Sequence, residues 1–308
     1  MKLFVDQKLS GGLSWYVKTF LILLGLLVAP TLAVATSSLT PPPNIRITNI
    51  PELNNEEQVF ISPVDSNIII ANWRDLRLGH FQIGIGRSTD GGQTWIDTLI
   101  EPFLQYTNIL SGDLSAWQSD PTMTVDRQGN FYMSVLDFSR TSSPPNDTSF
   151  IVFYKSIDSG LSWTGPFPTI PTPGTGFEDK QFITVDRTAG PHDGNVYVTW
   201  TRLADGHNKI IFQRSTDGAE TFGDTIIVGP WQTSTFCTAP TFAGQFSIPV
   251  VSSNGDVHVF WVGLTIDSSS CFTFYTIKHV VSTDGGQTFT LRRHCIVCNR
   301  IHRHRWRY

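Results

Sequence analysis

From about residue 50 to residue 292, apolar and polar positions alternate with a period of two, in short runs broken by turns rich in Asp, Asn, Gly and Ser. That period turns successive side chains to opposite faces of an extended chain, so it predicts β-strands. Four stretches repeat one plan: "EQVFISPVDSNIIIANWRD", "SDPTMTVDRQGNFYMSVLDF", "EDKQFITVDRTAGPHDGNVYVTWTR" and "GQFSIPVVSSNGDVHVFWVG". Each is an apolar run, a polar turn and a second run ending near an aromatic residue, which is the pattern of a β-hairpin. A third run follows each hairpin ("HFQIGIGRS", "SFIVFYKS", "NKIIFQRS", "TFYTIKHVVS"), and a fourth leaves the turn after it.

That last turn is itself a repeat: "RSTDGGQTW", "KSIDSGLSW", "RSTDGAETF" and "VSTDGGQTF", centred on Asp90, Asp158, Asp217 and Asp284 at intervals of 68, 59 and 67 residues. Four antiparallel strands per period of about 65 residues predict one blade of a β-propeller. The side chains of Ser88, Ser156, Ser215 and Ser282, with the four aspartates, suit a tight turn because they accept hydrogen bonds from nearby backbone N–H groups. Gly92, Gly160 and Gly286 permit backbone angles closed to other residues. Ala219 stands at that position in the third copy, where a tighter or slightly altered turn is expected. Trp95, Trp163, Phe222 and Phe289 are expected to anchor each turn between strands. The motif reads as a hairpin staple, so its recurrence speaks of architecture and not of four catalytic aspartates.

Composition agrees with an all-β protein: 40% hydrophobic and 16% charged residues over 308 positions, with abundant aromatic, Gly and Pro residues. A formal net charge of -4 supplies no basic field for nucleic acid. At the N-terminus, Lys2, Lys8 and Lys18 precede the apolar run "TFLILLGLLVAP" and the small residues Ala33 and Ala35. Residues 1–35 read as a signal peptide cut after Ala35, because the run is shorter than the about 20 residues a spanning helix needs. The alternative is an uncleaved membrane anchor; either way the body is expected outside the cytoplasm, secreted, periplasmic or at the cell surface. Residues 36–50, with "SSLTPPPN", read as an extended linker.

An oxidising compartment permits disulfides, and Cys237 with Cys271 is the better candidate pair. Cys295 and Cys298 lie in "HCIVCNRIHRH", whose spacing matches no common zinc finger. Residues 293–308 carry seven Arg or His residues between His294 and Arg307 and no alternation, so they read as a tail outside the blades. "NDT" at Asn146 is a glycosylation acceptor if the host glycosylates exported proteins. No phosphate-binding loop, serine-hydrolase elbow or metalloprotease helix is present in the sequence.

The pattern Ser-x-Asp-x-Gly-x-Thr-Trp, complete in "STDGGQTW" and nearly so in the other copies, resembles the Asp-box, or BNR repeat, of the sialidase-like propellers. The resemblance runs from about residue 50 to 290. It implies blades at residues 51–292 and an incomplete six-bladed propeller, since four blades are visible where sialidases close with six. For function it implies a glycan-directed protein, either an exo-glycosidase of sialidase type acting by retaining hydrolysis or a non-catalytic binding propeller. A sialidase of this fold uses an arginine triad, an Asp acid/base and a Tyr nucleophile activated by Glu.

Antiparallel strand order puts the start of each first strand and the end of each second strand on the face opposite the staples. That face should collect Arg74 and Asp75, Asp120, Asp137 and Arg140, Glu178, Asp179 and Lys180, and Arg202. By the resemblance, Arg74 and Arg202 are candidate triad members, Asp120 or Asp179 the acid/base, and Glu178 a reserve. The alternative is that these charges solvate the rim or pair with one another. Two departures from the family stand out: "NIRITNIP" holds Arg46 and Pro51 without the Arg-Ile-Pro motif, and Tyr275 falls where alternation explains it as packing. Trp73, Trp200 and Trp261 occupy matching core positions, whereas Trp117 and Trp231 are expected in loops where they could stack on a sugar ring. No cofactor is required by any motif, although Asp-rich loops could hold calcium, and the expected partner is a glycan or glycoprotein.

Overall fold

A computed structural model describes residues 44–101, 116–139, 148–169, 176–204, 207–229, 244–267 and 272–291. All but Asn44 belong to the unit Ile45–Tyr308. Sixteen strands form four four-stranded antiparallel sheets, each in simple chain order. Blade 1 holds β1 (Asn54–Ile61), β2 (Ile69–Asp75), β3 (Gln82–Ser88) and β4 (Ile96–Leu99). Blade 2 holds β5 (Ala116–Val125), β6 (Phe131–Ser139), β7 (Thr148–Ser156) and β8 (Thr164–Pro168). Blade 3 holds β9 (Phe177–Val185), β10 (Val196–Ala204), β11 (His207–Ser215) and β12 (Ile226–Gly229). Blade 4 holds β13 (Gln245–Val251), β14 (Val257–Asp267), β15 (Phe272–Ser282) and β16 (Thr290–Leu291). Among the described residues no helix is long and apolar enough to cross a membrane.

The apolar surface is buried between blades, in three clusters. Ile70, Ile83 and Ile85 of blade 1 meet Phe131, Met133 and Val152 of blade 2. Ile151 and Phe153 then meet Val198 and Trp200 of blade 3. Tyr197 and Phe212 on the other face of blade 3 meet Val259 and Trp261 of blade 4. A middle blade therefore hides both faces, and its central strands read as nearly continuous apolar runs such as "VYVTW". Each fully buried side chain of this size contributes about 1.5–3 kcal/mol.

The staples explain how neighbouring blades are held. In blade 1 the Ser88 hydroxyl donates to Asp90 at 2.8 Å and accepts the Gly92 N–H at 2.9 Å, while Asp90 accepts the Thr94 N–H at 2.9 Å. The same three bonds recur around Asp158, Asp217 and Asp284. The Thr94 hydroxyl and N–H and the Ser88 hydroxyl push the Asp90 carboxyl down to about 2, so it stays ionised as an acceptor. In blades 2, 3 and 4 the aromatic residue of the staple does more than brace its own hairpin. Trp163 packs into the cluster with blade 1, Phe222 into the cluster with blade 2 and Phe289 into the cluster with blade 3. The staple is thus a wedge against the preceding blade.

Ala219 corrects the expectation of an altered third turn. It adopts φ 66° and donates its N–H to the Ser215 hydroxyl at 2.9 Å, as the glycines do, and accepts the strain of a left-handed L-residue. Its counterparts differ in the space left for a methyl group. At Gly160, φ +77°, a Cβ would overlap the Ile70 side chain of blade 1; at Gly92, φ +89°, it would lie 3.5 Å from Ile69. Gly92→Ala is therefore expected to cost about 1–2 kcal/mol, the left-handed penalty alone. Gly160→Ala should cost about 2–4 kcal/mol because overpacking adds to it, and urea unfolding of the two variants compares them directly.

Two sequence expectations change at the edges. Tyr275 is not packed: it is 77% exposed, on a face of blade 4 that also exposes Ile248, Val250 and Ile277. Strand alternation sends the opposite face of blade 4 to blade 3, and among the described residues nothing covers this one. Trp117 lies within β5 and not in a loop; its ring meets Phe81 edge-on at 5.1 Å and Phe138 at 6.2 Å. Residues 1–35, most of the 36–50 linker, Cys237 and Cys271, Arg140, Asn146, Trp231 and residues 293–308 lie outside the described residues.

Candidate functional site

Strand pairing fixes which end of the blades can hold chemistry. Ile61, Ile69 and Ser88 align at the staple end of blade 1, and Asn54, Asp75 and Gln82 align at the other end. At that second end the first strand of every blade departs from regular pairing. The register slips between Asn55 and Gln58 in blade 1, between Ser119 and Thr122 in blade 2, opposite Thr199 and Thr201 in blade 3, and between Gln245 and Ile248 in blade 4. Each slip is a β-bulge, in which an extra residue bends the strand and re-aims a side chain.

One residue in each bulge has a left-handed backbone: Glu56 (φ 60°), Asp120 (φ 50°), Lys180 (φ 53°) and Phe246 (φ 59°). None is glycine, and such conformations cost about 1–3 kcal/mol each. A propeller that repeats this strain four times at one depth is spending stability on where four side chains point. Pro121, which has no N–H for a ladder, directly follows Asp120 and suits the interruption. First strands of successive blades pack side by side, so the four bulges converge. They line a cavity of about 230 Å³ whose walls include Glu56, Gln58, Asp120, Lys180, Gln181 and Phe246.

Within it Asp120 pairs with the Lys180 ammonium, and the Asp120 N–H donates to Glu56 Oε2 at 3.0 Å. The Ser119 hydroxyl donates to the same Glu56 oxygen at 3.1 Å. Lys180 Nζ and Arg74 Nη1 stand 3.7 and 3.5 Å from Glu56 Oε1. The two carboxyls are driven apart. Burial pushes Asp120 up to about 6, against the pull of Lys180 and with help from the nearby Glu56 and Asp179 charges. Burial would also raise Glu56, but the Asp120 N–H, Lys180, Arg74 and Ser119 together hold it below its ordinary value. Burial raises Asp179 as well, and Lys180 is raised because its bond and charge pairing with Asp120 outweigh its own burial.

The other candidates occupy different places. Asp179 adjoins Lys180 and accepts the Gln245 amide at 2.8 Å, tying blade 3 to blade 4. Arg74 donates to Asn55 at 2.9 Å and to the Ser119 hydroxyl at 3.2 Å, with its guanidinium 4.3 Å from the Phe81 ring centre. Arg202 pairs with its cross-strand partner Glu178, which also accepts the Trp200 indole N–H. Arg74 follows Trp73 by one residue and Arg202 follows Trp200 by two, so the pleat sends them to opposite faces of their sheets. Neither they nor Glu178 line the cavity. Asp75 is held by the Trp73 indole at 2.7 Å and by Arg77, and Asp137 accepts from Gln118 at 3.3 Å. Of the lining residues, sequence reasoning singles out Asp120 and Lys180; it passes over the others, Glu56, Gln181 and Phe246 among them. Apart from Pro121 nothing in the sequence marks the bulges, since the inserted pairs Glu56–Glu57, Asp120–Pro121, Lys180–Gln181 and Phe246–Ser247 share no residue type. Among the described residues no group of three or more His, Cys, Asp and Glu side chains is placed to hold a metal ion.

No protein-family model matches the sequence, and no curated protein matches it. Solved structures do. The intramolecular trans-sialidase of leech, determined with 2,7-anhydro-Neu5Ac, aligns with a TM-score of 0.51 at 12% identity, over 77% of this chain and 50% of that one. The intramolecular trans-sialidase of Ruminococcus gnavus aligns at TM-score 0.49 and 14% identity, over 77% and 70% of the two chains. The alpha-L-arabinanase of Penicillium chrysogenum gives 0.49 and 14%, over 77% and 66%. By its fold the molecule is a β-propeller of four-stranded antiparallel blades. Its fold is similar to that of the leech enzyme, of whose length it spans half.

Proposed function

We propose that the chain is an exported, glycan-directed propeller whose central cavity hydrolyses a glycosidic bond. The observation that carries this reading is the pair Asp120 and Glu56: two carboxyls in one cavity whose surroundings push their proton affinities in opposite directions. Asp120, carrying a proton up to about pH 6, is the donor to the leaving oxygen as the C–O bond breaks. Glu56, kept ionised, faces the developing positive charge and is the group to form the glycosyl ester of a retaining reaction. Water then cleaves the ester and returns a proton to Asp120. The N-terminal run with its small residues supports a place outside the cytoplasm.

A second reading has an observation of its own. Asp120 is engaged by Lys180, which favours a cavity that holds a saccharide without cutting it. Chromogenic glycosides separate the two. Hydrolysis with kcat/KM falling above about pH 6, as the donor loses its proton, is the expected result. Saccharide binding without turnover at any pH would give the binding propeller instead.

A further inference from the structure

We infer that the cavity selects a neutral sugar over a carboxylated one. This rests on reading the cavity as a saccharide site, and it departs from the acidic sugar that the Asp-box resemblance implies. The charge is of the wrong sign for an anion. Among the described residues, Glu56, Glu57 and Asp120 line the cavity against the single cation Lys180. Lys180 is already paired with Asp120 and stands 3.7 Å from Glu56. Arg74 beside the cavity is held by Asn55, Ser119 and Glu56, and Arg202 is paired with Glu178 in a different part of blade 3. A carboxylate ligand would enter a net negative enclosure and would have to break one of these pairs to find a partner.

Two further features suit a neutral ring. Phe246, projected by the fourth bulge, is 49% exposed at the cavity, a platform for the C–H face of a sugar. An aromatic side chain on a left-handed backbone is strain without return unless the ring is needed there. Gln181 lines the same cavity; its amide N–H reaches the Asp120 carbonyl, and its Oε1 is buried without a donor among the described residues. That oxygen, like the carboxylates, accepts from a hydroxyl and has nothing to accept from a ligand carboxylate. The Glu56 and Glu57 carboxylates and the Gln181 oxygen accept from O–H donors, which a neutral sugar presents around its ring.

The test is calorimetric titration of the whole chain with pairs of methyl hexopyranosides and pentofuranosides, each neutral glycoside matched with its uronate, and with lactose against sialyllactose. The neutral member of a pair is expected to bind at least about tenfold more tightly, a gap of about 1.4 kcal/mol. Phe246→Ala should weaken that binding about tenfold, and Glu56→Gln should narrow the gap between neutral and acidic members by removing a charge. Equal or tighter binding of a uronate or of sialyllactose would overturn the inference while leaving the saccharide site standing. Binding of no member of the series, by protein whose thermal unfolding is cooperative, would remove the saccharide reading and the inference with it.

Discussion

Asp120→Asn is expected to lower kcat/KM on a glycoside by about 10²- to 10⁴-fold, the usual worth of a positioned proton donor. The substitution keeps the shape of the side chain and suits its backbone, because Asn tolerates the left-handed φ of 50° at this bulge better than most residues. It also keeps an acceptor for Lys180 and leaves the backbone N–H to Glu56 in place. The fold should therefore survive, and the loss should fall on chemistry. Two signatures mark a proton donor. The fall in rate above about pH 6 should vanish in the variant, since the titrating group is gone. Glycosides with good leaving groups, which need little protonation, should lose much less than those with poor ones. A variant with the parent's rate and pH profile would show that Asp120 does not donate the proton.

Glu178→Ala is expected to destabilise the protein by about 3–5 kcal/mol, the penalty for removing one partner of a buried ion pair. Glu178 and Arg202 are 6% and 4% exposed, and the carboxylate also accepts the indole N–H of Trp200, which is 1% exposed. Truncation strips a buried guanidinium and a buried indole of their shared acceptor at the junction of blades 2 and 3. Urea unfolding should show the midpoint fall with little change in slope. The double change Glu178→Leu with Arg202→Met should recover much of the loss, because an apolar pair of similar volume needs no compensation. A destabilisation below about 1 kcal/mol, the level of an exposed pair, would mean that the pair is solvated.

These two carboxylates show how far the sequence could be read. Both were candidates for one site, 58 residues apart in a chain with a regular repeat. The structure gives Asp120 to the cavity and Glu178 to a blade junction. The difference lies in the bulges. Alternation predicts which face a side chain takes only while the register holds, and a single extra residue reverses it. A bulge has no strong signature when its left-handed residue is Glu, Asp, Lys or Phe in place of Gly, and Pro121 was the one positional hint. Arg74 and Arg202 separated for a simpler reason: one extra step past the matching tryptophan moves a side chain through the sheet.

The sequence by itself determined the strands, the four-strand plan of each blade and the staple turns. Those features rest on contacts between residues a few positions apart: the period-two pattern, the Ser–Asp turn and the glycines with positive φ. Only the tertiary structure decided that the staple aromatics of blades 2, 3 and 4 wedge against the preceding blade, that Tyr275 is exposed, and that Glu56, Asp120, Lys180 and Phe246 share one cavity. Each of these depends on residues about 60 apart being brought together by blade packing, and on register slips whose strain local preferences oppose.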